Sequence, residues 1–478
     1  MSKPNILIFM TDQQRGATVT DERCLTPNLD RFRKNGVTFT NAFCPSPHCC
    51  PSRATFLTGL YPSEHGVWHN VGVANAITRD LKEGVRLWSE DLSANGYDLY
   101  YSGKWHVSAV HHPEDYGWIE CVATSRGGMC DIEMAWQRYA EMPPENLEPH
   151  KRDDGEVVRP GWSPYTHYGS EENPFNDEGV VDAAIGCLRE TGKTGKPWCR
   201  FVGTLGPHDP YKVPQRFLDM YDLDSIELPV NFHDDLANRP NLYKRTRDAF
   251  SQLSELEHRK AILHYLAFCS YEDYLFGKVI DALEELGELD NTLIIYTSDH
   301  GDYIGEHGLW CKGLPCFRGA YEIPLVIGGA GVAAPGRTVD EYISLADFAP
   351  TFLELTETGC DREFAGLSIM PFLRNEMVES WRDAVYTQSN GNEQYGIQRS
   401  VMTKEWKYVY NGFDYDELYD IINDPHETHN LINDPRHKDK VKELCEKMWK
   451  FARDRKDNCI NPYIMVGFAP YGPQFAFA

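Results

Sequence analysis

The stretch NTLIIYTSDHG, residues 291–301, is an apolar run that ends in the polar residues Ser298, Asp299 and His300. It follows the longest helical pattern of the chain, at about residues 258–286. A long helix that leads into a short, continuously apolar strand is typical of α/β proteins, whose parallel strands are covered on both faces. The stretch therefore predicts an α/β fold, and ligands of such folds bind beyond the carboxyl ends of the strands.

The same alternation of strand and helix extends through most of the chain. Apolar strand patterns recur at residues 5–12, 97–106, 198–211 and 323–329, and helical patterns at 27–36, 85–95, 180–190 and 344–355. We therefore expect a large domain, residues 1–374, with a mostly parallel central sheet flanked by helices.

A smaller C-terminal domain is predicted for residues 375–478. Residues 384–390, 396–411 and 416–420 alternate like strands of an antiparallel sheet, and residues 438–453 form a charged amphipathic pattern typical of a helix. The aromatic tail, residues 461–478, is too rich in Gly and Pro for a helix. We expect it either to pack on the body or to pair with another subunit of a homo-oligomer.

Composition excludes several classes of function. The 478 residues hold 47 Lys and Arg against 72 Asp and Glu, for a formal charge of −25. This charge argues against nucleic-acid or anionic-membrane partners, and no apolar run approaches the roughly 18 residues that span a bilayer. The first residues, MSKPNILIFMTD, show no cleavage site, and the 14 cysteines form no compact framework. We expect a cytoplasmic protein with reduced thiols, although a trimmed signal peptide is compatible with the sequence.

Polar residues follow each of the main predicted strands. These residues are Asp12-Gln13, Lys104 and His106, His208-Asp209, and Asp299-His300, with Lys312 shortly after the last pair. A single Asp or His at such a place is usually a turn residue or a surface residue. Several at one sheet edge instead predict a divalent cation held by Asp12, Gln13, Asp299 and His300, surrounded by cationic groups that bind a transferring anion.

A second informative stretch is SPHCCPSRATFLTG, residues 46–59. Pro51 is expected at the first position of a helix, which places Cys49 and Cys50 at or just before a helix N-terminus. That position favours a deprotonated thiol. The alternative is that both thiols are merely buried and act as small apolar side chains.

The sequence CCPSRATFLTG resembles the signature of the cysteine-type (type I) sulfatases of the alkaline phosphatase superfamily, Cys-x-Pro-Ser-Arg followed by Leu-Thr-Gly. Further motifs occur in the family's order: NILIFMTDQQRG, TPNLDRFRKNGVTFTNAFC, GKWH, GPHDPY, TSDHGDYIGEHGLWCKG and ELYDIINDPHETHNL. The resemblance implies an alkaline phosphatase-like fold and hydrolysis of small anionic sulfate esters. It also implies that a maturase converts Cys49 to formylglycine, whose hydrate is the nucleophile, while Cys50 is the variable residue.

The same resemblance implies the metal ligands. They are Asp12, Gln13, Asp299 and His300, completed by a hydroxyl of the hydrated residue 49. Calcium is the first expectation for the ion, with magnesium or manganese as alternatives. Many relatives have Asp at Gln13 and Asn at His300, and the Gln and His versions also occur in phosphonate monoester and phosphodiester hydrolases of the superfamily.

The catalytic roles implied by the resemblance fall on residues around the metal. Arg53 holds the hydrate, Lys104 and Lys312 bind sulfate oxygens, and Lys312 also assists the leaving group. His208 is the general acid at the bridging oxygen, and His106 is the base that helps the sulfated intermediate collapse.

Two alternatives to a sulfatase remain open from the sequence. One is a phosphonate monoester or phosphodiester hydrolase with the same site, and the other is a non-catalytic anion-binding protein if Cys49 is never modified. The substrate is also open between carbohydrate and aryl sulfates. The outer pocket is expected in residues 66–73, 126–136, 166–178 and 390–396, where Trp68, His69, Trp136 and Tyr395 could stack on a ring or merely pack.

Overall fold

The computed structural model describes residues 3–123, 132–142, 151–158, 161–166, 175–192, 194–460 and 470–477. The strands are β1 Asn5–Thr11, β2 Gly36–Phe39, β3 Ala42–Phe43, β4 Asp98–Gly103, β5 Ile119–Ala123, β6 Trp198–Gly203, β7 Thr292–Ser298, β8 Leu325–Gly329, β9 Arg337–Val339, β10 Ile343–Ser344, β11 Ala384–Gly391, β12 Tyr395–Thr403, β13 Trp406–Asn411 and β14 Glu417–Asp420. The helices are α1 Pro27–Arg33, α2 Cys49–Thr58, α3 Pro62–His65, α4 Trp88–Ala94, α5 Ile132–Ala140, α6 Asp177–Thr191, α7 Gln215–Leu218, α8 Asn241–Ala249, α9 Glu255–Leu286, α10 Arg318–Tyr321, α11 Phe348–Leu355, α12 Met370–Leu373 and α13 Lys438–Asp454.

A sheet of eight strands in the order β5-β4-β6-β1-β7-β8-β2-β9 forms the centre of the molecule. Strands β5, β4, β6, β1 and β7 run parallel, and β8 runs antiparallel to both of its neighbours. Strands β1 and β7 lie side by side and are buried throughout, as continuous apolar runs require. The predicted α/β fold with a mostly parallel sheet is confirmed.

The ends of two helices, α9 and α1, differ from the sequence prediction or are stabilised by other contacts than the sequence suggests. Helix α9 begins at Glu255, three residues before the predicted start, because Ser254 Oγ accepts a bond from the Glu257 amide (3.3 Å) and Glu257 accepts one from the Ser254 amide (2.8 Å). Thr26 does not cap α1 with its side chain, and the Asp273 carboxylate accepts the Leu29 amide instead. Gly36, the last residue of the helical pattern predicted at 27–36, is instead the first residue of β2.

The close approach of two strand ends positions the site. Gly103 has a φ of 94° and lies against the Gly203 carbonyl, which a Cβ on Gly103 would meet at 1.9 Å. The Lys104 amide then donates to the same carbonyl (3.0 Å). Only glycine fits this position, so Gly103 allows β4 and β6 to deliver Lys104 beside the loop that carries His208.

The C-terminal residues form the predicted small antiparallel sheet, in the order β11-β12-β13-β14, with α13 packed on it. The sheet contacts the large body through buried polar groups, including a bond from Tyr243 to Glu417 (2.7 Å). The division at residue 374 stays a prediction. In the tail, Trp449 Nε1 donates to the Tyr471 carbonyl (2.9 Å), so this part packs on α13 of its own chain. Residues 461–469 and 478 lie outside the described residues. No helix in the described ranges is both long and apolar enough to cross a bilayer.

Candidate active site

Helix α2 carries Cys49 into the centre of the molecule. All ten of its side chains are buried, and the helix begins at Cys49 after His48, whose backbone is extended. The expectation that Pro51 is the first helical residue is wrong. Pro51 is the third, which is equally acceptable because the amides of the first turn have no intrahelical partner. Cys49 thus lies at the helix N-terminus, as predicted.

Four predicted side chains converge at this point. Ligand atoms of Asp12, Cys49, Asp299 and His300 all lie within 4.8 Å of one another, and all four residues are buried. Cys49 Sγ is 3.6 Å from Asp12 Oδ1 and 3.2 Å from His300 Nε2. The parallel pairing of β1 and β7 brings Asp12 and Asp299 together, because each follows the last residue of its strand.

The donor set fits a divalent cation. His300 Nδ1 lies 2.9 Å from the Gly301 carbonyl, which can only accept, so Nδ1 carries the proton and Nε2 offers its lone pair. Nε2 is 3.5 Å from Asp12 Oδ1 and 3.7 Å from Asp299 Oδ1. The two buried carboxylates repel each other. A divalent cation bound by both carboxylates and by the imidazole would remove this repulsion, so the three side chains fit a metal site.

Gln13 lies beside this cluster in a left-handed backbone conformation, with a φ of 69°. Its amide N–H donates to Asp299 Oδ1 (3.1 Å). Its side-chain Nε2 donates to Asp209 (3.0 Å) and Asp302 (2.6 Å), and its Oε1 accepts from the Lys312 ammonium. Gln13 therefore links the metal-site carboxylates to Lys312. Its role as a metal ligand stays a prediction.

Two further cations lie against the carboxylates. Arg53 Nε donates to Asp299 Oδ2 (2.7 Å), and its Nη2 is buried without a hydrogen-bond partner among the described residues. The Lys104 ammonium forms an ion pair with Asp12 Oδ2. Burial and Cys49 raise the pKa of Asp12, but Lys104, His208 and His300 outweigh them and lower it to about 2.

The cationic surroundings also act on Cys49. Burial raises the pKa of the thiol, but Lys104, Lys312 and His300 lower it well below its ordinary value. The neighbouring Cys50 behaves in the opposite way, since burial and the Cys49 charge raise its pKa. The pair thus separates into one thiol in an anion-stabilising site and one that packs as an apolar residue.

His106 and His208 both approach Cys49, from different strand ends. His106 has a left-handed φ of 52°, and burial followed by Lys104 lowers its pKa. Burial and Lys312 lower the pKa of His208, but the Asp209 and Asp12 carboxylates outweigh them and raise it to about 9. His208 Nε2 lies 2.8 Å from Lys312 Nζ, and Nδ1 lies 2.6 Å from the Asp209 carbonyl.

Several residues of this site were not predicted from the sequence. Asp302 accepts bonds from Gln13 and from the Tyr211 hydroxyl (2.6 Å), and its place three residues after Asp299 was a signal for it. His48, directly before Cys49, is fully buried and neither ring nitrogen has a partner within the described part of the chain. Asp177 accepts the amides of Leu205 (2.8 Å) and Gly206 (2.9 Å), which no local pattern indicates.

Two of the four predicted outer-pocket segments lie together next to α2. The Asn70 amide donates to Asn392 Oδ1 (2.9 Å), and the His69 ring packs edge-on against Tyr395 at 5.0 Å. Asn70 Oδ1 in turn accepts the Cys50 amide (3.1 Å). Residues 126–131 and 167–174 of the other two segments lie outside the described residues, and Trp136 is largely exposed.

Comparisons with known proteins define the family to which this chain belongs. The family model "Sulfatase" matches residues 4–358, and a second model, "N-sulphoglucosamine sulphohydrolase, C-terminal", matches residues 305–454. The first match covers well over half of the chain, and the chain belongs to the sulfatase family. The protein is therefore a sulfuric ester hydrolase of the alkaline phosphatase superfamily.

Individual relatives are similar over nearly the whole chain. A choline-sulfatase of Rhizobium meliloti is 30% identical, covering 91% of this chain and 83% of its own length. An arylsulfatase of Clostridium perfringens is 28% identical and covers 95% of both chains. The phosphonate monoester hydrolase of Agrobacterium radiobacter shares the fold, with a TM-score of 0.77, 24% identity and coverage of 95% of this chain and 96% of its own.

Proposed function

We propose that the protein hydrolyses sulfate monoesters of carbohydrate or aryl alcohols, with formylglycine formed from Cys49 by a maturase as the nucleophile. The observation that carries the proposal is the position of Cys49 Sγ, which lies 3.6 Å from Asp12 Oδ1 and 3.2 Å from His300 Nε2 and whose pKa the charges of Lys104 and Lys312 lower. Sγ stands where a hydroxyl oxygen of the formylglycine hydrate would lie. The hydrate supplies one hydroxyl for attack on sulfur and a second from which the aldehyde re-forms.

One divalent cation, calcium as the first candidate, is proposed to bind Asp12, Asp299 and His300, with Gln13 and residue 49 completing the set. When bound, the ion neutralises negative charge on the nucleophile and the sulfate. The protein residues then hold the substrate. Lys104 and Lys312 approach the sulfate oxygens, and the unpaired Nη2 of Arg53 is available to hold the hydrate. These donors are fixed before substrate arrives, which is the most effective form of electrostatic stabilisation.

The two histidines are proposed to divide the proton transfers. The lowered pKa keeps His106 neutral near pH 7, which suits a base, and the Asp209 and Asp12 carboxylates raise the pKa of His208, which suits an acid once Nε2 is free to take up a proton. In the structure Lys312 faces Nε2 of His208, so this nitrogen accepts. A sulfate placed between the two groups would accept from Lys312 and free Nε2 to carry the proton that the leaving alkoxide takes.

This division predicts different responses to the leaving group. His208→Ala should lower kcat by about 10²–10⁴-fold for esters of poorly acidic alcohols and much less for activated aryl esters. His106→Ala should slow both ester types about equally, because it acts after the ester bond breaks. The measurement is kcat against a series of aryl sulfates of graded leaving-group pKa. Parallel slopes for the parent enzyme and both variants would reject the division.

A second candidate, hydrolysis of phosphonate monoesters or phosphodiesters, is favoured by Gln13 and His300 in place of the family's usual Asp and Asn. Both candidates use the same side chains, so substrate preference separates them. We expect kcat/KM for sulfate monoesters, tested as aryl sulfates and sulfated monosaccharides, to exceed that for matched phosphonates and phosphodiesters. A preference for the phosphorus esters across the panel would overturn the sulfatase proposal in favour of the second candidate.

We propose two structural units divided near residue 374. The strands of the eight-stranded, mostly parallel sheet all precede this point, and the four strands of the antiparallel sheet all follow it. A cytoplasmic location and reduced thiols are proposed on the sequence grounds given above. Pairing of subunits through the tail is not favoured by residues 470–477, which pack on α13.

A further inference from the structure

Two cysteines outside the active site lie in contact at the edge of the central sheet. Cys121 belongs to the edge strand β5 and Cys187 to helix α6, which packs against it. Their Sγ atoms are 2.7 Å apart, although the residues are 66 positions apart in sequence. Both side chains are half-buried, so small reagents can reach them.

The surroundings of Cys187 favour a reactive thiolate. Arg200 Nη1 donates to Cys187 Sγ at 3.4 Å. The Arg200 guanidinium also packs over the rings of Tyr100 (4.2 Å to the centroid) and Trp198 (4.9 Å). The hydrogen bond from Cys121 lowers the pKa of Cys187; burial raises it, Arg200 lowers it, and the net value is about 6. A thiolate next to a second thiol is the arrangement of redox-active cysteine pairs.

We propose that Cys121 and Cys187 form a reversible disulfide that clamps the edge strand β5 to helix α6, with hydrogen peroxide as the oxidant. The Cys187 thiolate attacks one peroxide oxygen, the O–O bond breaks, and hydroxide leaves and is protonated to water. The Cys121 sulfur then attacks the resulting sulfenic acid, the S–O bond breaks, and the proton of Cys121 leaves with the hydroxide as a second water. Two thiols are oxidised and one peroxide is reduced to two waters.

A second thiol pair provides an internal control. Cys24 and Cys269 also contact each other, but both are buried, and burial raises the pKa of Cys269 well above its ordinary value. The second pair therefore differs from the first in being closed to solvent, and its Cys269 is not a thiolate near neutral pH. Peroxide should act on Cys121–Cys187 and spare Cys24–Cys269.

The experiment uses the full-length folded protein, exposed to hydrogen peroxide, alkylated and digested with trypsin without reductant. The tryptic peptides 105–126 and 153–189 contain Cys121 and Cys187 as their single cysteines. We expect these two peptides as one cross-linked species that dithiothreitol separates. Full alkylation of both cysteines after peroxide, or sulfenic acid at Cys187 without a cross-link, would overturn the proposal.

Thermal unfolding gives a second readout that does not depend on catalysis. Closing a loop of this length should raise the Tm of the oxidised protein by about 4 °C, since cross-linking restricts the unfolded chain. Cys121→Ser and Cys187→Ser should each abolish the rise and leave the activity of the reduced enzyme unchanged, while Cys24→Ser should retain the rise. An equal rise in all three variants would assign it to another oxidation and contradict the clamp.

Discussion

Cys49→Ala is expected to lower kcat/KM for a sulfate ester by a factor on the order of 10⁵ or more, because it removes the nucleophile and its modification together. The fold should persist, since α2 is buried along its length and the substitution removes a single sulfur atom. The measurement is kcat/KM on an activated aryl sulfate with the metal present, alongside thermal unfolding.

Cys50→Ala is the matched control. Cys50 is as buried as Cys49 but lies on the other side of the helix start, where its Sγ accepts the Val71 amide at 3.3 Å. Its loss should cost about 1 kcal/mol of stability and leave most of the activity. Turnover retained in Cys49→Ala, or lost equally in a folded Cys50→Ala, would contradict the assignment of the nucleophile.

Removal of the divalent cation is expected to lower kcat by at least about 10³-fold, because the sulfate then enters a site with two buried carboxylates whose charge only the Lys and Arg side chains offset. Lys104 and Arg53 neutralise part of the charge of Asp12 and Asp299, but neither of them takes the place of an ion bound by both carboxylates and His300. Re-addition should restore the rate, and calcium is expected to restore it better than magnesium or manganese. Chelator already saturated with calcium is the control, and Tm before and after treatment reports on the fold.

A full rate in exhaustively demetallated enzyme would show that the Asp12, Asp299 and His300 cluster is not a metal site. Full restoration by magnesium or manganese alone would confirm the metal site but show that calcium is not its ion.

Asp302→Asn offers a separate variant, because Asp302 contacts Gln13 and Tyr211 rather than the cluster itself. It should weaken activity through Gln13 while leaving metal binding largely intact.

The strand ends were predictable because their signal is local. Strands β1, β4, β6 and β7 are short apolar runs followed directly by polar residues, and parallel pairing places those residues at one edge. The short strands β2 and β9 were missed, since they depend on pairing with distant segments rather than on a pattern of their own.

The network behind the site was harder to predict for a related reason. Asp177 contacts the Leu205 and Gly206 amides, and the Arg53 guanidinium contacts the Lys104 carbonyl, each through the tertiary structure alone. The conformations of Gln13 and His106 are likewise fixed by their surroundings, since non-glycine residues rarely adopt a positive φ. The roles of the site residues were predicted from the resemblance to the family. Only the structure shows the surroundings that shift the pKa values of Cys49 and Cys50, and those of His106 and His208, in opposite directions.

Mass spectrometry of the tryptic peptide of residues 35–53, from protein whose activity has been measured, tests the central claim most directly. This peptide contains Cys44, Cys49 and Cys50, and fragment ions assign any change to one of them. We expect active protein to carry formylglycine at residue 49, which has lost one sulfur and two hydrogens and gained one oxygen, with Cys44 and Cys50 unchanged. The modified fraction should rise in proportion to kcat across preparations. Fully active protein with an unmodified thiol at Cys49 would contradict the account.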